Sequence, residues 1–460
     1  MTNPKHIHFI GICGTAMGSV AAALKERGFT VTGSDERVYP PMSTFLESRG
    51  VKLMEGYRPE NIPADADLIV VGNAISRGNA EVESVLNRRL TYLSLPETLK
   101  LFFLRGKHNL VVTGTHGKTT TTSLLTWILH EAGLNPAYLI GGIPKNLGQG
   151  CSLHESKYTV IEGDEYDTAF FDKRSKFLHY LPELVIVNNV EFDHADIFED
   201  LDAIKLSFKR LLNVVPSEGM VLINGDDANC IDVARDCRAQ LVEVGFSPNA
   251  ARHIRGVRYS AEGSEFTLLD HKFRTSLVGE YNVRNCAMAV SAAHFYGVTL
   301  TDIATALESF EGIKRRQEVR GTVNGITILD DFGHHPTAIR ETLRGLRHQY
   351  SGRRLWALFE PRSNTTRRAV FQHDLPKALA EADGVILAQV ARMDQLKPED
   401  RLDPERVIED IVATGRPAFY EPGVDEIVTR LKPLVKEGDV IVILSNGGFG
   451  GIHERLLNEL

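Results

Sequence analysis

Three α/β units in series, each built on a mostly parallel sheet, are the fold that the sequence predicts. Apolar β-type runs alternate with amphipathic runs from end to end, the pattern of parallel strands joined by helices. A chain of 460 residues has room for about three domains at roughly 100–200 residues each. Two basic, turn-prone stretches, near 104–108 and 311–317, supply the joints. The expected units are 1–106, 107–313 and 314–460, the outer two Rossmann-like.

In the first unit, IHFIGI (7–12), FTVTGSD (29–35) and ADLIVVGNA (66–74) read as strands. Segments near 16–27, 40–50 and 79–89 read as the intervening helices. The second unit opens with the buried strand NLVVTG (109–114) and a helix from about Lys118 to Ala132. It continues through YTVIEGD (158–164), ELVIVNNVEFDH (183–194), MVLING (220–225) and a helix near 283–296. Strands of the third unit are expected in GITILDDFGHHP (325–336), RRLWALFEPR (353–362), DGVILAQ (383–389) and DVIVILSNGG (439–448).

Composition narrows the function classes. Hydrophobic residues make up 43% of the chain, so large cores can form and disorder is not expected. The net charge of -8 disfavours a general nucleic-acid binder, which carries a basic surplus. Five cysteines (Cys13, Cys151, Cys230, Cys237, Cys286) form no C-x-x-C pair, which suits a reducing compartment. The uncharged run His6–Leu24 imitates a signal peptide, but Gly11, Gly14 and Gly18 break its apolar centre. No run approaches the ~20 apolar residues of a membrane span. A soluble, cytoplasmic protein without membrane or nucleic-acid partners is expected.

The sharpest motif is Thr113-Gly114-Thr115-His116-Gly117-Lys118-Thr119-Thr120. A buried strand, a Gly-rich turn, G-K-T and a helix make a phosphate cradle. Backbone N–H groups grip phosphate, Lys118 reaches the β/γ oxygens, and the Thr119 hydroxyl can ligate Mg²⁺. The central unit is therefore expected to be a P-loop-type ATPase domain, although Val112 replaces the first Gly of the strict pattern. Glu162-Gly163-Asp164-Glu165 and Glu191-Phe192-Asp193-His194 end neighbouring strands of the same unit. They converge on the crevice of a parallel sheet, as metal-site carboxylates or as helix caps.

Asn282 and Asn285 share one helical face, where they read an adenine edge or cap the helix. Arg315-Arg316 and Asp330-Asp331 flank a strand, and His334-His335-Pro336 opens the next helix. At the N-terminus, Gly11-Ile12-Cys13-Gly14 joins a strand to a helix, with Asp35 ending the next strand. That layout suits a nucleotide-sugar diphosphate or a ligand-free tight turn, and Cys13 stands where a dinucleotide fingerprint has its second Gly.

Taken together, G-T-H-G-K-T-T, E-G-D-E-Y-D, N-V-E-F-D-H, Asn282/Asn285, R-R and D-D-F-G-H-H-P resemble the Mur ligase family over essentially the whole chain. Four further blocks resemble the recycling member of that family rather than the L-alanine-adding one. They are Val38-Tyr39-Pro40-Pro41-Met42-Ser43, Phe170-Phe171-Asp172-Lys173-Arg174-Ser175-Lys176-Phe177, Glu360-Pro361-Arg362-Ser363-Asn364-Thr365, and Ser445-Asn446-Gly447-Gly448-Phe449-Gly450-Gly451-Ile452-His453.

The resemblance implies an ATP-dependent amide ligase of peptidoglycan recycling. Its substrates would be ATP, UDP-N-acetylmuramate and a murein tripeptide, with Mg²⁺ as cofactor. The alternatives are the same chemistry with free L-alanine, and a non-catalytic UDP-sugar sensor. Carried over by position, Gly114, Thr115, His116, Gly117, Lys118, Thr119 and Thr120 hold ATP, with Asn282 and Asn285 at the adenine or nearby polar groups. Arg316 meets the γ-phosphate and Asp331 the ribose. Thr119, Glu162 and His194 belong to the metal sites, and Lys118, Glu162, His194 and Arg316 form the catalytic set. Gly11, Gly14, Ser34, Asp35 and Asn73 match the UDP-sugar site. Arg362, Ser363 and Asn364, after a strand end, are expected to meet the peptide. Lys205 and Lys209 lie where some relatives carry a carbamylated lysine and are left outside the set.

Overall fold

Residues 5–460 are described by the computed structural model, which contains three large sheets. The first is five-stranded and wholly parallel, in the order Lys52–Glu55, Thr30–Asp35, His6–Ile10, Leu68–Val71, Tyr92–Ser94. The helix Thr15–Glu26 follows the first strand. It starts at Gly14 without a side-chain cap, leaving its first N–H groups free for an anion.

The central sheet has eight strands. Its middle places Leu184–Val187, His108–Thr113 and Tyr158–Glu162 side by side and parallel. Val111, Val112, Val160, Ile161, Val185 and Ile186 have no solvent exposure, as expected of strands covered on both faces. The helix Lys118–Glu131 packs on this sheet and against Glu280–Phe295. The third sheet is six-stranded, in the order Glu318–Val323, Ile326–Asp331, Val440–Leu444, Leu355–Phe359, Gly384–Ala388, Ala418–Glu421. Only its first strand runs antiparallel.

Two smaller antiparallel sheets lie outside the three large ones. Arg255–Ser260, Gly263–Leu268 and His271–Thr275 form a separate antiparallel sheet. Asp167–Ala169 and Asp172–Ser175 form a hairpin whose tip carries Phe170 and Phe171 toward the first sheet, with Phe171 4.9 Å from the Tyr92 ring. No helix among the described residues is long and apolar enough to cross a membrane.

The third unit is docked on the second. The helix Pro336–Gln349 approaches the start of Glu280–Phe295 so closely that a Cβ on Gly345 would lie 2.9 Å from the Val278 carbonyl oxygen. Thr365 Oγ1 donates to Asp193 at 2.7 Å, and Asn364 Nδ2 to Asp196 at 2.8 Å. This docking brings strand ends of two sheets into one crevice, the usual ligand position in open α/β sheets.

Candidate active site

The phosphate loop leaves its strand through Gly114 and enters its helix through Gly117, at φ values of 129° and 78°. Both conformations favour residues without a Cβ. A Cβ at Gly117 would also lie 2.6 Å from Asn285 Oδ1, which places that asparagine against the loop. The helix Lys118–Glu131 begins with no side-chain cap, so its orphan N–H groups remain available to phosphate. Asn189 Oδ1 accepts from His116 N at 2.7 Å and Asn188 Nδ2 donates to Thr121 Oγ1 at 3.1 Å, fixing the loop from the neighbouring strand end.

Lys118 Nζ donates to the Gly114 carbonyl at 2.8 Å and to Glu165 at 2.9 Å. Burial would lower the lysine pKa, but Glu165 and Asp164 outweigh it and hold it above its ordinary value. Glu165 also meets His194 Nε2 at 2.9 Å. Burial alone would raise this carboxyl; Lys118 and His194 outweigh burial and keep it ionised. His194 has φ 56°, an uncommon conformation for a non-glycine, which turns its ring to Glu165 and against Tyr166. Burial opposes its charge, yet Glu165 raises its pKa overall.

Glu162 is the hard-cation candidate. Its carboxylate accepts from Gly141 N at 2.7 Å and Thr119 Oγ1 at 3.1 Å. Burial raises its pKa despite those donors and the nearby Lys118 and Arg316. A divalent cation beside Thr119 and Glu162 would supply the missing positive charge, and these oxygens suit Mg²⁺. The donor set therefore fits that ion.

From the third unit, Arg316 Nη2 reaches Thr119 Oγ1 at 3.4 Å, and its guanidinium lies 4.8 Å from the Phe332 ring. Asp331 is buried, and burial raises its pKa although Gln317 N and Gly333 N donate to it at 2.8 and 2.7 Å. Thr115, His116, Gly117, Lys118, Thr119, Thr120, Glu162, His194, Asn282, Asn285, Arg316 and Asp331 line one cavity of about 600 Å³. Gly114 contributes its carbonyl from behind the loop. Asn282 turns its amide back to the Val278 carbonyl at 2.9 Å.

A second cavity of about 350 Å³ contains Arg362, Ser363 and Asn364 together with Tyr166, Arg392 and Asn446. Asp193, His194, Phe332 and His334 line both cavities, so the two meet there.

At the first sheet, Gly11 adopts φ 84° and donates its N–H to the Ser34 carbonyl at 2.8 Å, while Cys13 N donates to Asp35 at 2.8 Å. Burial and Asp35 push the Cys13 thiol up to about 11. Ser34 differs from expectation: its hydroxyl is fully buried and donates to Glu81, so only its carbonyl serves the loop. Asn73 is exposed at the end of the neighbouring strand. Lys205 and Lys209 both pair with Asp232, at 3.4 and 3.6 Å. In the loop after the strand Val440–Leu444, Ser445 N donates to the Asp331 carbonyl at 3.1 Å and Gly447 N to Ser445 Oγ at 2.9 Å.

Three family profiles match the chain. The Mur ligase family catalytic domain matches residues 6–106, the Mur ligase middle domain 112–293, and the Mur ligase glutamate ligase domain 315–447. The chain belongs to the Mur ligase family. This Mur ligase is 44% identical to the UDP-N-acetylmuramate–L-alanyl-γ-D-glutamyl-meso-2,6-diaminoheptandioate ligase of Escherichia coli K12, with 99% of this chain and 98% of the relative covered. It is 32% identical to the UDP-N-acetylmuramate–L-alanine ligase of Acetivibrio thermocellus, with 99% and 96% covered. Among solved structures, a murein peptide ligase from Psychrobacter arcticus 273-4 is 38% identical with TM-score 0.71, covering 98% of each chain. The UDP-N-acetylmuramate–alanine ligase from Thermotoga maritima shares the three-domain fold, at TM-score 0.77, 22% identity and 99% and 98% coverage.

Glu165, Asn188 and Asn189 were not among the expected site residues. Glu165 was visible as part of an acidic cluster, and the asparagines directly precede Val190-Glu191. Tyr166 lay within the E-G-D-E-Y-D motif without a role of its own, and Arg392 carried no sequence signal.

Proposed function

We propose that this Mur ligase joins L-alanyl-γ-D-glutamyl-meso-diaminopimelate to the lactyl carboxylate of UDP-N-acetylmuramate, using ATP, in the cytoplasmic recycling of murein. The observation that carries this reading is the full-length likeness to tripeptide ligases at 44% identity, against 32% for a relative that adds L-alanine. The domain limits 1–106, 107–313 and 314–460 belong to the same reading, with the UDP-sugar in the first, ATP in the second and the peptide against the third.

A carboxylate is a poor electrophile, so activation comes first. A lactyl carboxylate oxygen attacks the γ-phosphorus, the bond to the β-phosphate bridging oxygen breaks, and ADP leaves an acyl phosphate. The L-alanine amine of the tripeptide attacks the acyl carbon, the tetrahedral adduct expels inorganic phosphate, and the amine proton departs to leave the amide. In such phosphoryl transfer the protein mainly positions and neutralises.

Lys118 exchanges its Glu165 contact for the β/γ-phosphate oxygens, and Arg316 adds charge at the γ-phosphate. Thr119 and Glu162 would hold Mg²⁺, with His194 at a second ion, and the bound metal would supply electrostatic neutralisation. Asp331 meets the ribose, with Asn282 and Asn285 near the base end. Docking of the third unit keeps water from the acyl phosphate.

The test is phosphate release with ATP, Mg²⁺ and UDP-N-acetylmuramate, comparing tripeptide, L-alanine and no acceptor. The tripeptide should support the fastest turnover. Preference for L-alanine would overturn the acceptor assignment, and turnover with neither would favour a sensor.

A further inference from the structure

Three side chains meet at the seam between the second and third units, none of them assigned to Mg²⁺ above. His116 sits in the glycine-rich loop, Glu191 follows the central strand Leu184–Val187, and His335 precedes the third-unit helix Pro336–Gln349. One ligand atom from each lies within 4.8 Å of the others. His116 Nε2 is 3.5 Å from Glu191 Oε2, and His335 Nδ1 is 3.6 Å from the same oxygen. The two imidazole rings are 4.3 Å apart, centre to centre, and tilted by 45°.

These separations suit a coordination shell better than hydrogen bonds. Both N···O distances exceed the ~2.7–3.2 Å of a good hydrogen bond. Ligand atoms at ~2.0–2.2 Å around a tetrahedral ion stand about 3.3–3.6 Å from one another. His116 Nε2 is buried and has no hydrogen-bond partner among the described residues, a state that a polar atom keeps only for a reason. The other ring is aimed by its far nitrogen. His335 Nε2 donates to the Phe192 carbonyl at 3.2 Å, which leaves Nδ1 as the lone-pair atom on the Glu191 side. A ring whose second N–H is held by a backbone carbonyl is the usual setting of a metal-ligating histidine. Nδ1 has one competitor, Thr337 N at 3.2 Å, a long contact that an ion would displace. Thr337 Oγ1 orients the carboxylate from 2.7 Å, and neither Lys nor Arg pairs with Glu191 among the described residues.

A comparable cluster, Glu97, Asp172 and His179, is already neutralised. Arg174 takes both Asp172 oxygens, at 2.9 and 2.8 Å, and Ser94 Oγ donates to Glu97 at 2.8 Å. The seam cluster has no such cation. Two imidazoles and a carboxylate are not the oxygen shell that Mg²⁺ selects, but they do suit a borderline-soft ion. All three side chains line the cavity of about 600 Å³, from which water can fill a fourth position. We propose that His116, Glu191 and His335 bind a divalent cation of the zinc class, which ties the third unit to the glycine-rich loop and holds the two units docked. Parting the units then breaks a metal bond, so the ion slows any step that needs them to open.

Co²⁺ is the probe, because its visible bands are intense at four-coordinate sites and weak at six-coordinate oxygen sites. The whole chain, freed of metal and titrated with Co²⁺ in excess Mg²⁺, should take up one tetrahedral ion that Zn²⁺ displaces. His335→Asn, which keeps a helix cap, and Glu191→Gln should each weaken binding by roughly a hundredfold or more, beyond the ~10–100-fold that outer partners command. Glu162→Gln should keep the bands. Thr337→Val, which loosens the docking without removing a ligand, should lose only about tenfold. Three results would overturn the site: no tetrahedral bands in wild type, bands that depend on Glu162 and not on His335, or a loss in Thr337→Val equal to that of the ligand variants. On the ligase reading above, Zn²⁺ should also slow turnover in Mg²⁺ and ATP by roughly tenfold, and a chelator should restore it. Turnover indifferent to bound Zn²⁺ would remove the clamp. Absence of turnover with any acceptor would count against the ligase reading alone, the site being judged by cobalt.

Discussion

Lys118 and Glu165 are joined at 2.9 Å, so the lysine of the glycine-rich loop rests on a carboxylate that, in the proposed ATP complex, phosphate oxygens would replace. Glu165 is almost wholly buried, with a side chain 2% exposed. Removing one partner of such a pair leaves an uncompensated charge and costs about 3 kcal/mol or more. Glu165→Gln should therefore lower the urea midpoint, and saturating ATP should recover part of the loss because phosphate oxygens can take over Lys118. Equal destabilisation with and without ATP would break the link between this pair and the nucleotide. Lys118→Ala should abolish ligation yet keep UDP-N-acetylmuramate binding in calorimetry, since that ligand is assigned to the first unit.

Arg316 reaches across the junction to Thr119 at 3.4 Å. A γ-phosphate contact strengthens as charge shifts during transfer, so its loss belongs in kcat. Arg316→Ala should reduce kcat at saturating ATP by roughly a hundredfold, comparable to losing one transition-state hydrogen-bond donor. A raised KM for ATP with unchanged kcat would mean uniform binding instead.

The docked junction carries its own pH dependence. Glu191 Oε2 accepts from Thr337 Oγ1 at 2.7 Å, and His335, which caps the same helix start, donates to the Phe192 carbonyl at 3.2 Å. Burial would raise the Glu191 carboxyl, but His116 and the junction donors bring it down to about 2 from 4.5. Burial drives His335 down to about 3 from 6.5, so it is neutral when docked. The disordered state takes up a proton on this histidine as pH falls below 6.5, and on the glutamate below 4.5. Stability contributed here is complete at neutral pH and declines in acid, first through His335 and then through Glu191. His335→Asn, which keeps a helix cap, should flatten the decline between pH 6.5 and 4.5 in urea titrations. An unchanged slope would assign it elsewhere, the half-buried His334 being the other histidine of this turn whose pKa burial lowers.

Strand ends and the phosphate loop were legible because both follow local rules: buried apolar runs, then glycine, lysine and threonine at a helix start. The antiparallel sheet of residues 255–275 was not, because charged residues such as Arg255 and Arg258 interrupt its apolar runs and it packs only one face. Glu165 needed its partner Lys118, 47 positions away, before its acid could be read as a stored counter-ion. Arg392 needed the neighbouring strand to bring it beside Arg362. Spatial pairing across parallel strands leaves no periodic mark in either segment.

The placement of Arg362 depends on a glycine in another strand-end loop. A Cβ on Gly447 would overlap the Arg362 guanidinium, while Arg315 fixes that loop by donating to the Ser445 and Gly447 carbonyls at 2.8 and 2.6 Å. The loop is the less mobile partner, so an added methyl displaces the arginine and leaves the fold in place. Gly447→Ala should thus keep thermal stability within about 1 kcal/mol of wild type, the usual range for a change met by a flexible side chain. It should raise KM for the tripeptide while sparing KM for ATP. Arg362→Ala should itself lose tripeptide ligation by roughly one to two orders of magnitude, the scale of a buried charged hydrogen-bond pair. If Gly447 acts only by positioning Arg362, the double variant should be no worse than Arg362→Ala alone, since both changes remove one interaction. Additive losses would show that Gly447 serves the acceptor by another route, through its own backbone at the cavity edge.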